Sequence, residues 1–489
     1  MLCQLLKAMK TKRLAWPKDR YLSAVIVMVS AYFVTFSTLS LMQHWAFYTA
    51  NDLGVFNQKL YNTLHGRFFL SPETNGGQYA HMDYLILSFL PIYVFFPYAE
   101  TLLVLQSAVL AAAALPLYLL ATKRLKDRRA ACLIAATYLV YPALHYLNLY
   151  DYHSTIMAVP LLITGFWLFD SGRFRLSLLS FAMAMLADET VSIFVMLSSL
   201  YFLLSKERKW ALRLGLFAAT WFVIEMMIIL PNDLVSGGPY FDIYRSRYDH
   251  LGSTQWDVMT SIATNPVAAL TYGGIESRTT YAFQMLAPLG FLSLLDPAIL
   301  ISTPQVAANF FSKYDWMRNI TQSYTPLIIP FAFMSAVFGM QRLSRRFKKL
   351  TPRRLSVFML ACCLASFFSF GLGNMQIAKG FAERMVQDQE LTLAVQETAL
   401  AIPENATVSA PYHILPHMQG KDRIYRQPRS LEEIIRDAQD LGPLGYVIID
   451  FSPKRRPDVN ETEAERMFNA AGYSLAFNRS TVFLYKHDG

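Results

Sequence analysis

The sequence predicts an all-α polytopic membrane protein of about eleven transmembrane helices that ends in a small α/β domain. Apolar residues fill 54% of its 489 positions and charged residues only 16%, whereas soluble proteins of this size carry about a quarter charged residues. The mean hydropathy is +0.28, and the apolar residues fall in runs of about 20, the length of a lipid-spanning helix. The basic residues fall mainly in short loops between those runs.

The net charge of +9 is a topology signal rather than a sign of nucleic-acid binding. More than half of the 44 Lys and Arg residues lie in five clusters: Lys7–Arg20, Lys123–Arg129, Arg173–Arg175, Lys206–Arg213 and Arg342–Arg354. Because cytoplasmic loops of membrane proteins are enriched in Lys and Arg, all five clusters are predicted to be cytoplasmic. The N-terminus is then cytoplasmic, and the C-terminal domain lies on the extracytoplasmic side of the cell membrane.

The predicted chain path begins with a retained anchor at Tyr21–Met42, which is too long for a signal peptide and lacks a cleavage site. The transmembrane domain covers residues 1–372, with long outer loops at about 43–99 and 231–278. The last span, Leu355–Leu372, leads to a soluble extracytoplasmic domain at 373–489.

The apolar run Leu176–Leu204 has cytoplasmic charges at both ends and the pair Asp188-Glu189 at its centre. Two ends on one side require two passes, so the chain must turn near the acidic pair. Each half then measures roughly 18–21 Å as a helix, less than the thickness of a bilayer core. The turn is therefore predicted to lie in a water-filled recess.

The C-terminal domain is predicted to be α/β. Strand-like runs are predicted at Thr407–Ala410, Tyr446–Phe451, Tyr473–Phe477 and Thr481–Tyr485. Helices are predicted at 376–400, Ser430–Gln439 and Thr462–Ala471. We find no phosphate loop, nucleophile elbow or CxxC pair in this region, which favours a recognition or lid module.

Several ionisable residues stand at the predicted outer ends of helices, where one water-accessible pocket could gather them. They are Asp52, His81, Asp83, Asp151, His153, Asp188 and Glu189. Ionisable side chains near membrane depth are candidates for function because inserting them costs about 2.5–3.5 kcal/mol each. The alternative is a set of unrelated loop acids and interfacial histidines, each satisfied by water. Asp296, which precedes Pro297, is predicted to form a turn.

Short motifs along the whole chain resemble an uncharacterised membrane-protein family of archaea and bacteria, domain of unknown function 2079. The matching elements are Asn51-Asp52-Leu53-Gly54-Val55-Phe56-Asn57-Gln58, Gly66-Arg67-Phe68-Phe69, a His near residue 81, Asp151-Tyr152-His153, and Val408-Ser409-Ala410 to Leu415-Pro416-His417 with Tyr425 and Pro428. Ala187-Asp188-Glu189 stands where that family tends to have Lys-Glu-Asp. The architecture is in turn similar to that of type C (GT-C) glycosyltransferases.

This resemblance implies an inverting transfer of a sugar from a polyprenyl-phosphate donor to a glycan, lipid or protein acceptor outside the cytoplasm. Asp52 matches the early outer-loop Asp and would be the general base. The resemblance assigns donor or acceptor binding to His81, Asp83, Asp151, His153, Asp188, Glu189 and Arg67.

The phosphate of such a donor needs a positive charge, and Ala187 replaces the family's Lys. A histidine (His81 or His153), an arginine (Arg67, Arg278 or Arg318) or a divalent cation would have to substitute. Mg²⁺ or Mn²⁺ suits oxygen-rich ligands, and the candidate ligands are Asp52, Asp151, His153, Asp188 and Glu189. The alternatives to an enzyme are a lipid or polysaccharide transporter and a non-catalytic scaffold that presents the outer domain.

Overall fold

The computed structural model of the chain is mostly helical. It describes residues 19–49, 51–70, 72–73, 77–78, 82–229, 246–386, 388–418, 420–421, 423–427, 430–440, 445–452 and 460–488. His81, most of the first basic cluster and the start of the second predicted outer loop lie outside these residues.

The helices of the described residues form a bundle followed by a smaller C-terminal part. In chain order they are α1 (Arg20–Trp45), α2 (Asn51–Leu64), α3 (Tyr84–Tyr93), α4 (Ala99–Leu125), α5 (Arg128–Val140), α6 (Pro142–Tyr150), α7 (Ser154–Asp170), α8 (Phe174–Met185), α9 (Val191–Phe202), α10 (Arg208–Ile229), α11 (Gln255–Thr264), α12 (Pro266–Thr271), α13 (Glu276–Leu286), α14 (Thr303–Phe311), α15 (Ile329–Arg346), α16 (Pro352–Phe370), α17 (Met375–Arg384), α18 (Gln389–Ala401), α19 (Leu431–Asp440) and α20 (Glu461–Ala470). Three 3₁₀ turns, Ala287–Leu289, Leu292–Leu295 and Pro297–Ser302, connect α13 to α14.

Four of the described helices, α1, α4, α10 and α16, are long and apolar enough to cross a membrane. A fifth span is formed if α5 and α6, which meet at an angle of 44°, are counted together. Pro142 at the start of α6 explains the bend, because proline removes a backbone donor and clashes with the preceding turn. Further apolar helices, among them α7, α8 and α9, are shorter. The chain is thus a multi-pass membrane protein, and the count of about eleven spans stays a prediction.

The turn predicted at Asp188-Glu189 is present. The run that contains it divides into α8, which ends at Met185, and α9, which begins at Val191. Each helix has 12 residues, so each measures about 18 Å. The sequence prediction of two short helices around the acidic pair is therefore confirmed.

The basic clusters gather at one end of the bundle. Arg128 pairs with Asp19 at 3.4 Å and Arg124 pairs with Asp170 at 2.5 Å, while Arg353 lies 3.9 Å from Asp127. These contacts join the start of α1, the α4–α5 loop, the end of α7 and the start of α16. Loops that the charge pattern assigned to one side of the membrane are therefore neighbours in space.

Asp296 lies at the same end as these clusters. Its carboxylate accepts from the Ala298 amide at 2.9 Å and from the Tyr201 hydroxyl at 3.1 Å, and it pairs with Arg342 at 2.8 Å. The bond to the amide two residues on is the bond that a turn-forming aspartate makes. Its predicted role in a turn is confirmed.

A column of aromatic rings fills the bundle between the acidic turn and the basic end. Phe194, one helical turn into α9, stacks near Phe331, whose ring lies 6.1 Å from that of Phe166. Phe166 lies 4.6 Å from Phe202, which stacks on Phe169 at 3.8 Å. The interior along this line is packed with side chains.

The C-terminal residues form a five-stranded mixed sheet. The strands are β3 (Thr407–Ala410), β4 (Arg423–Arg426), β5 (Gly445–Asp450), β6 (Tyr473–Arg479) and β7 (Val482–His487), in the order β4-β3-β5-β7-β6. β3 runs parallel to β4 and β5, and β7 runs antiparallel to β5 and β6. A separate two-stranded ribbon, β1 (Pro72–Glu73) with β2 (Gly77–Gln78), belongs to the first predicted outer loop.

Two features of this part differ from the prediction. The helix expected over 376–400 is divided into α17 and α18, because Asp388 caps a new helix by accepting from the Leu391 amide at 3.1 Å. β4 was not predicted at all. It is a four-residue edge strand with arginine at both ends, so it has no apolar alternation to reveal it.

The segment between β3 and β4 packs on α2. A Cβ atom at Gly54 would lie 1.9 Å from a methyl carbon of Leu415, so a larger residue there would force the Leu415 side chain to move. One helical turn further along α2, the Gln58 amide donates to the Lys421 carbonyl at 3.0 Å. Asp52 lies two residues before Gly54, so this packing helps to set its position.

Candidate functional site

A cavity of about 240 Å³ lies at the end of the bundle opposite the basic clusters. One side is formed by Phe56 of α2, residues 153–155 at the start of α7 and the 188–190 turn. The other side is formed by residues 247–248, two residues of α14 and the 317–326 loop. The lining residues are Phe56, His153, Ser154, Thr155, Asp188, Thr190, Arg247, Tyr248, Gln305, Ala308, Met317, Ser323, Tyr324 and Pro326.

His153 joins Asp52 to this lining. Its Nε2 atom lies 3.4 Å from Asp52 Oδ2 and 3.2 Å from the Ser323 hydroxyl, and its Nδ1 atom lies 2.9 Å from the Tyr152 carbonyl. Because a carbonyl oxygen only accepts, Nδ1 must carry a proton. Nε2 is the ring nitrogen that faces both the Asp52 carboxylate and the Ser323 hydroxyl. The two side chains are 20% and 24% exposed, so solutes can reach both.

Asp188 is held at the cavity by the turn around it. One carboxylate oxygen accepts from the Thr155 hydroxyl at 3.0 Å, and the other accepts from the Thr190 amide at 2.9 Å and from the Thr190 hydroxyl. Hydrogen bonds to a carboxylate favour its charged form. The cavity therefore has a second oriented acidic group on the same side as His153.

Arg247 brings a permanent positive charge to the cavity. Its guanidinium carbon lies 5.7 Å from the ring centroid of Tyr324 and 5.8 Å from that of Trp316, within cation–π range. Burial raises the pKa of Tyr324 to about 12, so its hydroxyl is a neutral donor at physiological pH. This arginine was missed in the sequence because it lies in a loop without a charge cluster.

The three arginines predicted for a phosphate, Arg67, Arg278 and Arg318, do not line this cavity. Arg278 donates to the carbonyls of Phe310 and Gly274 and is buried. Arg318 donates to the carbonyls of Asn309 and Ser312 and pairs with Asp315. These bonds tie the loop after α14 to α13. Arg67 lies just past the end of α2 and is not among the residues that line the cavity.

A family model for a predicted membrane protein, DUF2079, matches residues 43–483, about nine-tenths of the chain. The chain belongs to the DUF2079 family. Among solved structures, it is similar to ArnT from Cupriavidus metallidurans, which was crystallised bound to undecaprenyl phosphate. The TM-score is 0.56 at 11% sequence identity, and the match covers 94% of this chain and 97% of ArnT. The DUF2079 chain therefore shares the overall fold of ArnT. No curated protein matches it in sequence.

Three predicted site residues of the DUF2079 chain are buried and do not line the cavity. Asp83 is fully buried, and both of its oxygens lie 2.8 Å from Lys59 Nζ. Asp151 is buried and accepts from the Tyr152 amide at 2.9 Å. Glu189 is buried and accepts from the Met82 amide at 3.1 Å. The structure therefore places Asp52, His153 and Asp188 at or beside the cavity, whereas Asp83, Asp151 and Glu189 bond to neighbouring parts of the fold, and the roles of all six stay predictions.

The burial of Asp151 and Glu189 also argues against the metal site predicted for the DUF2079 chain. Of the five candidate ligands, Asp151 and Glu189 are buried against backbone amides. In the part of the chain that the structure describes, no three His, Cys, Asp or Glu side chains are grouped closely enough to hold a metal ion. The five predicted ligands are therefore not arranged to bind one metal ion together. A requirement for Mg²⁺ or Mn²⁺ stays a prediction.

Proposed function

We propose that this protein transfers a sugar from a polyprenyl-phosphate donor to an acceptor hydroxyl, with inversion at the anomeric carbon. The observation that carries the proposal is the placement of Asp52, paired with His153, beside a cavity that also presents Arg247. A base and a phosphate-binding cation at one cavity are the two groups that this reaction needs. The GT-C-like fold, whose solved neighbour holds undecaprenyl phosphate, supports the same chemistry.

Asp52 acts as the general base in this proposal. Its carboxylate takes the proton of the acceptor hydroxyl while the oxygen forms a bond to the anomeric carbon. The bond between that carbon and the donor phosphate breaks on the opposite face, and the electron pair leaves with the phosphate. His153 is a positioning residue, since its ring, 3.4 Å from Asp52 Oδ2, holds the Asp52 carboxylate in place before the acceptor arrives.

Arg247 binds the donor phosphate and stabilises the charge that grows on it during transfer. A guanidinium can bind two phosphate oxygens at once, and the aromatic rings beside it restrict its motion. Arg247 thus supplies the positive charge that Ala187 does not. Asp188, held by Thr155 and Thr190, is available to accept hydrogen bonds from sugar hydroxyls across the cavity.

The alternative function as a lipid or polysaccharide transporter needs a path from one side of the membrane to the other. The aromatic column from Phe194 to Phe169 occupies the bundle interior between the acidic turn and the basic end. This packing favours an enzyme with a cavity at one end. A scaffold without activity would not need the Asp52–His153 pair beside a cavity.

Arg247→Gln is expected to weaken binding of undecaprenyl phosphate by about tenfold to a hundredfold, because it removes charge-assisted hydrogen bonds. The measurement is a titration of the purified protein with undecaprenyl phosphate. Lys313→Gln is the matched control: Lys313 is a cation of the same region that pairs with Asp249 and does not line the cavity. Equal affinity in Arg247→Gln and the unsubstituted protein would assign the phosphate to another group.

The proposed reaction takes place on the extracytoplasmic side, where the charge pattern puts the cavity and the C-terminal sheet. A reporter enzyme that is active only outside the cytoplasm should be active when fused after Leu372 and inactive when fused within Arg342–Arg354. A cytoplasmic reporter should give the reverse pattern. Activity on the opposite sides would contradict the assigned orientation of the cavity.

A further inference from the structure

A second cavity, of about 760 Å³, lies between the bundle and the C-terminal part of the chain. The bundle contributes Trp45 at the end of α1 and Glu100 at the start of α4. The C-terminal part contributes one face of α18, Glu404 and the segment that ends at Lys421. None of the residues proposed above for sugar transfer lines this cavity.

Exposed aromatic side chains indicate where this cavity lies relative to the bilayer. Trp45, in its wall, is 46% exposed, and its indole donates to Glu100 Oε1 at 3.4 Å. Phe95, Phe96 and Tyr98, which precede Glu100 in the chain, are also exposed. Exposed aromatic residues at the ends of apolar helices are typical of the membrane–water interface. The cavity is therefore level with the headgroups of the surrounding lipids.

The charges of the wall are mixed. Glu100 and Glu404 supply two carboxylates, and Lys421 supplies an ammonium that donates to the Ile402 carbonyl. Burial lowers the pKa of Lys421, while the nearby Glu404 opposes that shift. Apolar atoms of Val395 and Leu400 complete the wall on the α18 side, and Leu400 is almost fully exposed. An amphiphile with both a positive and a negative headgroup charge complements this arrangement.

We propose that this cavity binds an ethanolamine phospholipid from the surrounding bilayer. The ethanolamine ammonium is matched by Glu100 and Glu404, and the phosphate is matched by Lys421. The glycerol and the upper acyl chains lie along Trp45 and Leu400. An anionic lipid fits less well because it brings no positive charge to the two carboxylates, and the bulky quaternary ammonium of a choline lipid cannot donate hydrogen bonds to them.

The test begins with vesicles that contain equal parts of ethanolamine, choline and glycerol phospholipids. The purified full-length protein is reconstituted into them, released, and analysed by native mass spectrometry for retained lipid. We expect the ethanolamine lipid to be retained in preference to the other two. Glu404→Gln should lower its retention by about threefold to fivefold, as loss of a partly exposed ion pair predicts. Glu432→Gln, an exposed acid on α19, is the matched control and should leave retention unchanged.

A second measurement locates the lipid. Brominated ethanolamine lipid should quench the fluorescence of Trp45 more strongly than brominated choline or glycerol lipid at equal mole fraction. The Trp45 signal is the difference between the unsubstituted protein and Trp45→Phe. Equal retention and equal quenching by the three lipids, or a preference for the anionic lipid, would overturn the proposal. An equal loss in Glu404→Gln and Glu432→Gln would do so as well.

Discussion

Asp52→Asn is expected to lower the rate of sugar transfer by about 10²–10⁴, the usual contribution of a general base. Asparagine keeps the size of the side chain and can still face His153, which lies 3.4 Å from Asp52 Oδ2, but it cannot take a proton. Binding of undecaprenyl phosphate should change little, because that contact is assigned to Arg247. The rate is measured in membranes, and the product is identified by mass spectrometry.

The matched control for this variant is Asp249→Asn. Asp249 follows Arg247 and Tyr248 on the other side of the cavity, and its carboxylate pairs with Lys313 on the surface. Transfer by Asp249→Asn should stay near normal. If Asp52→Asn also transferred sugar at a near-normal rate, the base would have to be Asp188, because Asp151 and Glu189 are buried against backbone amides.

Breaking the buried pair between Lys59 and Asp83 is expected to destabilise the protein by about 3–5 kcal/mol, because it leaves one charge buried without its partner. Both side chains are at most 1% exposed, and the Lys59 ammonium also lies 4.6 Å from the Phe69 ring centroid. Lys59→Met and Asp83→Asn are compared with the unsubstituted protein by thermal unfolding in detergent. Each should lower the unfolding temperature.

The double variant Lys59→Met/Asp83→Asn shows whether the two side chains act as an ion pair or contribute to stability independently. It should lose less stability than the two single variants added together, because no charge is left unpaired. A loss equal to that sum would contradict the pairing. If instead Asp83→Asn kept full stability and weakened donor binding, the sequence interpretation of Asp83 as a binding residue would be restored.

Much of the fold could be predicted from the positions of the charged residues and the lengths of the apolar runs. The charge pattern predicted that the basic loops share one side, and Asp19, Asp127 and Asp170 pair with those loops at one end of the bundle. The turn at Asp188-Glu189 followed from chain length and charge alone. β4 could not be predicted, because its partner β3 and not its own sequence makes it a strand.

The site was harder to predict than the fold. Asp52, His153 and Asp188 were found because ionisable residues near helix ends are unusual in a membrane protein. Arg247 was missed, since the Arg245-Ser246-Arg247 segment is short and nothing in the sequence shows that Arg247 lines the cavity. Asp83 was taken for a binding residue because its partner, Lys59, is 24 residues away in the chain.

The most direct test of the proposed activity is mass spectrometry of surface glycans and polyprenyl-phosphate sugars in a strain that lacks this protein. The strain is complemented either with the unsubstituted protein or with Asp52→Asn. We expect the deletion strain to lose one sugar modification and to accumulate the corresponding polyprenyl-phosphate sugar. The unsubstituted protein should restore the modification and Asp52→Asn should not. Unchanged glycans and unchanged lipid-linked sugars in the deletion strain would contradict the assignment of this protein as a glycosyltransferase.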